Sequence, residues 1–311
     1  MNTKQHGFTL VETMIAMTLG LFLLSGMISA LMTSKSAARS QSALFNIQEN
    51  ARFVLEAMKK DIRTSDNWGC TQSTTNLLTP ANQGYVDYLN QSVVGLDGGF
   101  DTLTIRRAQN VGFALNSNMA TAFSNIDVGN ASTLSQGDIV VISDCSGGDI
   151  FQISNNVSVD GFVSHTTGGN QPGNVSSDFS KAYTTSATVY KIYDEKYSVV
   201  TVSGVNWLQR VINGGTPEML TPNVAGFQIT YGVDTDTPTD NSANVYLPIT
   251  SITNTSKIVS VRVNLLLQSE ENNVTINNMT YTFNGVTTTA SDKKLYKSYE
   301  ATVSIRNRQK R

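Results

Sequence analysis

Glu12 is the one ionisable side chain in the 25 residues of 8–32, so the first chemical question is what neutralises a carboxylate set in an apolar run. On insertion scales an acid at the centre of a spanning helix costs roughly 2.5–3.5 kcal/mol, which makes an unpaired Glu a poor component of a simple anchor. The order Gly7-Phe8-Thr9-Leu10-Val11-Glu12 offers it a partner. Scission after Gly7 leaves a cationic amine on Phe8, and a neighbouring copy shifted along the helix axis would set that amine against Glu12. Two unit charges about 4 Å apart at an effective dielectric near 20 attract by about 4 kcal/mol, comparable to the burial cost. The chemistry expected here is a stagger-setting ion pair between subunits.

The other reactive side chains are few. Cys70 and Cys145 are the only cysteines, and in a chain whose N-terminus argues for export they are expected to form a disulfide. They lack the Cys-x-x-Cys spacing of a redox pair and the further ligands of a zinc site. Of two histidines, His6 precedes the cut, and His165 lies among Thr and Gly where an exposed, idle ring is expected. No His-Glu-x-x-His, Gly-x-Ser-x-Gly, P-loop or dinucleotide fingerprint occurs, so an enzyme is not expected and no cofactor is implied. Asp234, Asp236 and Asp240 form a weak calcium candidate. They fail the EF-hand pattern, because Thr239 replaces the turn glycine and Val245 the bidentate acid, and a solvated acidic turn is the expectation. The basic tail Arg306, Arg308, Lys310 and Arg311 is read as solvated; with 22 basic and 24 acidic side chains overall, nucleic acid is not an expected direct partner.

These residues need elements to hold them. The run 8–32 exceeds the ~20 apolar residues that cross a bilayer. Past it, Leu44, Ile47, Ala51, Val54, Leu55, Met58 and Ile62 recur at steps of three or four, the period of one helix face. One helix over about 8–62, roughly 80 Å long at 1.5 Å per residue, is expected to carry a globular head on its second half. After Trp68-Gly69-Cys70 the sequence turns to β-rich segments among Asn, Thr, Ser and Gly. Strands are expected at 102–107, 138–143, 150–153, 187–193, 197–202, 225–231, 258–267, 280–283 and 299–305. Val259, Val261, Val263 and Leu265 alternate with Ser260, Arg262 and Asn264, as in a strand with one face toward a core. Polar stretches at 71–99, 165–186 and 232–256 read as long loops, either binding surfaces or mobile insertions. The chain, 40% hydrophobic and 15% charged, suits one α+β head, with a division near Ser186 as the alternative.

The leader with Lys4, Gly7, Phe8 and Glu12 resembles the class III signal of type IV pilins and pseudopilins. In that family a prepilin peptidase cuts after the Gly and N-methylates the Phe, which implies cleavage between Gly7 and Phe8 and methylation of Phe8. Many major pilins carry a proline in this helix; here the first is Pro80, which leaves Gly20 and Gly26 as the weak points. An ordinary secretory signal cut near Ser36-Ala37-Ala38 is the alternative, although its apolar region is usually shorter and free of acids. Further blocks, QENARFVLEAMKKDIRTSDNWGC at 48–70, GDIVVISDCSGGDIFQI at 137–153, VSVRVNLLLQSE at 259–270 and YEATVSIRNR at 299–308, resemble the PilW group of minor pilins, itself related to the J-type pseudopilins of secretion.

The resemblance implies a pilin-like α+β fold: a long N-terminal helix, transmembrane in its first half, packed on a mainly antiparallel β head. The implied division is leader 1–7, membrane and filament helix 8–34, amphipathic continuation 35–67 and head 68–311. It further implies a low-abundance subunit that primes pilus assembly and sits at or near the tip, supporting twitching motility, adhesion or DNA uptake. The implied partners are other minor pilins, the major pilin, the prepilin peptidase, a PilY-type tip adhesin and the inner membrane. Before assembly the head would be periplasmic; afterwards the chain would lie in the pilus at the cell surface. The alternatives are a J-type pseudopilin in a secretion tip complex and a surface ligand-binding module.

Overall fold

The computed structural model describes residues 9–71, 73–129, 133–168 and 171–308. A single helix, α1 (Leu10–Thr64), runs for 55 residues. Its start follows from Thr9-x-x-Glu12, the spacing of a capping box, and the Glu12 amide donates to Thr9 Oγ1 at 3.3 Å. Thr13, Thr18 and Thr33 return their hydroxyls to carbonyls three or four residues back, so these groups need no water partner in lipid. The helix ends where Ser65 Oγ bonds the Ile62 carbonyl and Asp66 turns to φ 60°.

Two compact units divide the chain: Met1–Asn50 with Gln268–Lys297, and Ala51–Leu267 with Ser298–Arg311. In the second, Ala51, Val54, Leu55, Met58 and Ile62 are all buried, as the three-four period requires. Its strands are β1 (Thr74–Asn76), β2 (Val93–Leu96), β3 (Thr102–Ala108), β4 (Phe113–Ala114), β5 (Ile139–Asp144), β6 (Gly147–Gln152), β7 (Thr188–Val202), β8 (Val205–Ile212) and β9 (Glu218–Thr221). They form a nine-stranded sheet of order β1-β6-β5-β7-β3-β2, with β4 and β8 also on β7, and β9 on β8. β7 is the common member: Tyr190 faces Val141 of β5, Glu195 faces Ile105 of β3, and Val199 faces Leu208 of β8. β1 joins β6 parallel, whereas the pairs along β7 are antiparallel.

The remaining strands are β10 (Val224–Val233), β11 (Val245–Leu247), β12 (Ile258–Gln268), β13 (Thr280–Phe283), β14 (Val286–Thr289) and β15 (Tyr296–Ser304). A four-stranded sheet has the order β11-β10-β12-β15. On β12 the polar Ser260 and Asn264 are buried along with the valines, so this strand is interior on both faces rather than one. In the smaller unit, β13 and β14 form a hairpin around Asn284-Gly285, both at positive φ, the turn whose twist matches paired strands. Tyr281 stacks on Tyr296 with ring centres 4.6 Å apart.

The architecture is the expected α+β one, a long apolar N-terminal helix with mainly antiparallel sheets. Several boundaries differ. The strands expected at 187–193 and 197–202 are one strand, because the intervening Asp194-Glu195-Lys196 is paired into the sheet. The stretches read as loops contain β1, β2 and β11, and among their described residues Leu77, Leu78, Tyr88, Phe179 and Tyr183 are buried.

Candidate functional site

Gly7 and Phe8 lie outside the described residues, as do Lys4 and His6. Glu12 is exposed near the start of α1, and among the described residues it has no ion pair. Around it Leu10, Val11, Met14 and Ile15 are each at least half exposed, and the apolar stretch of the helix has none of its residues buried within the chain. By length and composition this helix can cross a membrane. Ala16, Gly20, Gly26 and Ala30 interrupt the bulky surface, and nothing lies within 4 Å of where a side chain would start on Gly20 or Gly26. Among the described residues this part of the helix is therefore an apolar surface that carries one charge.

At the other end of the helix, Asp61 ties α1 to the sheet. Arg210 Nη1 of β8 donates to its Oδ2 at 2.9 Å, and the Tyr197 hydroxyl of β7 donates to the same oxygen. Arg107 of β3 lies 3.9 Å from Asp61 Oδ1 and donates to Glu195 Oε1 at 2.9 Å. Asp61, Arg107 and Glu195 are all buried. Burial, with Asp61 nearby, raises the Glu195 carboxyl above its ordinary range against the pull of Arg107, and burial beside Asp61 also raises the Tyr197 phenol. This network was not anticipated from the sequence.

Cys70 and Cys145 are joined, their Cα atoms 4.6 Å apart, as expected. The tail reading needs correction: the Arg308 side chain is 7% exposed, not solvated. It donates to Asp66 Oδ2 at 2.9 Å, to the Thr255 and Ile258 carbonyls and to Ser92 Oγ, so it clasps the end of α1 to two other segments. Arg306 is exposed; Lys310 and Arg311 lie outside the described residues. His165 is also corrected. It is 2% exposed, stacked on Phe179 at 3.8 Å, with Nε2 at 3.1 Å from the Ser124 carbonyl oxygen, because Phe151 and Phe179 pack around the ring.

The three carboxylates of Asp234, Asp236 and Asp240 do come together, with ligand atoms within 4.8 Å. Yet both Asp234 oxygens already accept amides of the same loop, from Asp236 at 3.0 Å and Asn241 at 2.6 Å. Those bonds serve the turn itself.

Two family models match the chain. One, the prokaryotic N-terminal methylation motif, covers residues 2–28, and the other, Type IV Pilus-assembly protein W, covers residues 185–307. No curated protein and no solved structure matches it.

Proposed function

The two matches support a type IV pilin of the PilW group, and from that premise we propose a minor pilin that joins other minor pilins to prime fibre assembly and resides at or near the tip. Cleavage after Gly7 and methylation of Phe8 by a prepilin peptidase would generate the mature subunit. Before assembly its head is periplasmic and its helix in the inner membrane; afterwards it belongs to the surface fibre, with the major pilin behind it and a PilY-type adhesin ahead. Twitching, adhesion or DNA uptake would depend on it through the fibre.

The observation that carries this reading is Glu12, exposed and unpaired among the described residues on an otherwise apolar helix surface. Moving such a helix from lipid into a fibre gains little hydrophobic free energy, so packing at the small residues and a pair between Glu12 and a neighbour's Phe8 amine must supply the specificity. Because the Thr9 hydroxyl caps the helix through the Glu12 backbone amide, Glu12→Ala removes the charged side chain and leaves that bond in place. Glu12→Gln retains the cap and removes the charge. Both variants are expected to insert and be processed, and both to lose copurification with partner pilins; normal copurification and piliation of Glu12→Gln would contradict the pairing. Deletion is expected to abolish piliation, whereas exoproteins trapped in the periplasm would identify a secretion pseudopilin instead.

A further inference from the structure

The four-stranded sheet ends on β15, which leaves a long strand edge without a partner. Among the described residues, every other strand paired on one side only (β1, β2, β4, β9, β11, β13 and β14) has four residues or fewer. β15 has nine, and it pairs with β12 alone. Proteins keep exposed edges short, or break them with proline or a bulge, because an open edge is a template for another strand. β15 contains no proline or glycine. Two bonds at its ends set the register: the Ser269 amide donates to the Leu295 carbonyl at 2.8 Å, and the Ile305 amide to the Val259 carbonyl at 2.9 Å. The same number of residues separates these bonds on each strand, so the pairing runs between them without a bulge.

That register also decides which way the backbone points. In an antiparallel pair, alternate residues turn both N–H and C=O toward the partner strand. The odd-numbered residues of β15 therefore face β12, and Ser298, Glu300, Thr302 and Ser304 turn their groups outward. The outward amide of Tyr296 meets the Met279 sulfur at 3.2 Å, so the chain itself covers the start of this edge. Past that point no hydrogen bond from a described residue reaches the outward groups. All four residues are exposed, whereas Ala301 and Val303 between them are buried.

We propose that this edge receives an extended segment of a neighbouring pilin, which adds to β15 as a fifth strand of the sheet. Backbone donors and acceptors that repeat at every second residue along a straight edge are matched by another β-strand. The pleat sets the composition of that segment: apolar side chains beside Ala301 and Val303, alternating with polar ones beside Glu300 and Thr302. This rests on the chain being a pilin that assembles with others, and it gives the head a contact independent of Glu12.

Hydrogen exchange resolved to single amides tests it on the full chain, first alone in detergent and then in complex with the co-expressed pilins that copurify with it. Alone, the amides of Glu300, Thr302 and Ser304 are expected to exchange fast, while those of Ala301 and Val303 are protected. In the complex the three outward amides slow by at least about tenfold. Thr302→Pro removes one outward amide and leaves the bonds to β12, and it is expected to weaken copurification about tenfold. Thr302→Val keeps the amide and should copurify normally. The exchange measurement on the parent chain stands whether or not the proline variant folds. Outward amides that exchange as fast in the complex as alone overturn the proposal, as does their protection in the chain alone, or normal copurification of Thr302→Pro. Recovery of no pilin with the parent chain overturns the pilin reading, and this proposal with it.

Discussion

Glu12 and His165 show how one side chain takes its meaning from what surrounds it. For Glu12 the apolar run makes the charge visible in the sequence, while the helix start next to it is held by the Thr9 hydroxyl on the Glu12 backbone amide, a bond that does not use the carboxylate. His165 was misread because its neighbours in sequence are Thr and Gly, whereas its neighbours in space are Phe151 and Phe179. Burial holds its pKa below the ordinary 6.5, against the opposing pull of the Ser124 carbonyl, Asp149 and Asp178. As pH falls through 6.5 the unfolded chain takes up a proton that the folded ring resists, so this residue removes stability on acidification. His165→Phe keeps an aromatic stack and loses the titration. The drop in Tm between about pH 7.5 and about pH 5 is therefore expected to be smaller in the variant than in the parent chain, and an equal drop would refute the assignment.

At the scale of elements, the helix and most long strands were legible because their apolar periods are regular. The missed pieces had specific causes. Asp194-Glu195-Lys196 looks like a break between strands, yet Arg106 pairs with Asp194 at 2.6 Å and Arg107 with Glu195. β8 and β14 follow two-residue Ser203-Gly204 and Asn284-Gly285 turns, hairpin signals that lay in plain view. The Asp61 network also had a signal: Asp61 falls on the buried stripe of α1 beside Ile62, and Arg107 continues the inward series Leu103, Ile105 of β3. A charge on a buried period needs a partner. Asp61→Ala takes the acceptor from the buried Tyr197 hydroxyl and from Arg210 Nη1, and leaves Arg107 paired with Glu195. It is expected to cost about 2 kcal/mol, that of a buried hydroxyl left without its acceptor, since Arg210 keeps Glu218 at 2.7 Å. Urea unfolding would measure it, and a change under about 0.5 kcal/mol, typical of a surface site, would contradict the assigned role.

For the whole molecule, the disulfide and the two ends of the chain matter most. The Cys70–Cys145 bridge closes a separation of 75 residues, so replacing both cysteines by serine is expected to cost up to about 4–5 kcal/mol in the chain-entropy model. Unchanged thermal stability of the double variant would show that the unfolded chain is already restricted without it. The methylation-motif match at residues 2–28 and the pilus-assembly match at 185–307 agree with what the leader and the C-terminal strands suggested. The polar middle offered no such pattern, because its buried aromatics are spaced irregularly between turns. Everything proposed for Glu12 depends on a free amine at Phe8. Mass determination of the N-terminal peptide from membrane-extracted protein tests that directly: the account predicts N-methylated Phe8 as the first residue, and a chain that still begins at Met1, or one cut near Ser36-Ala37-Ala38 to begin at Arg39, would contradict it.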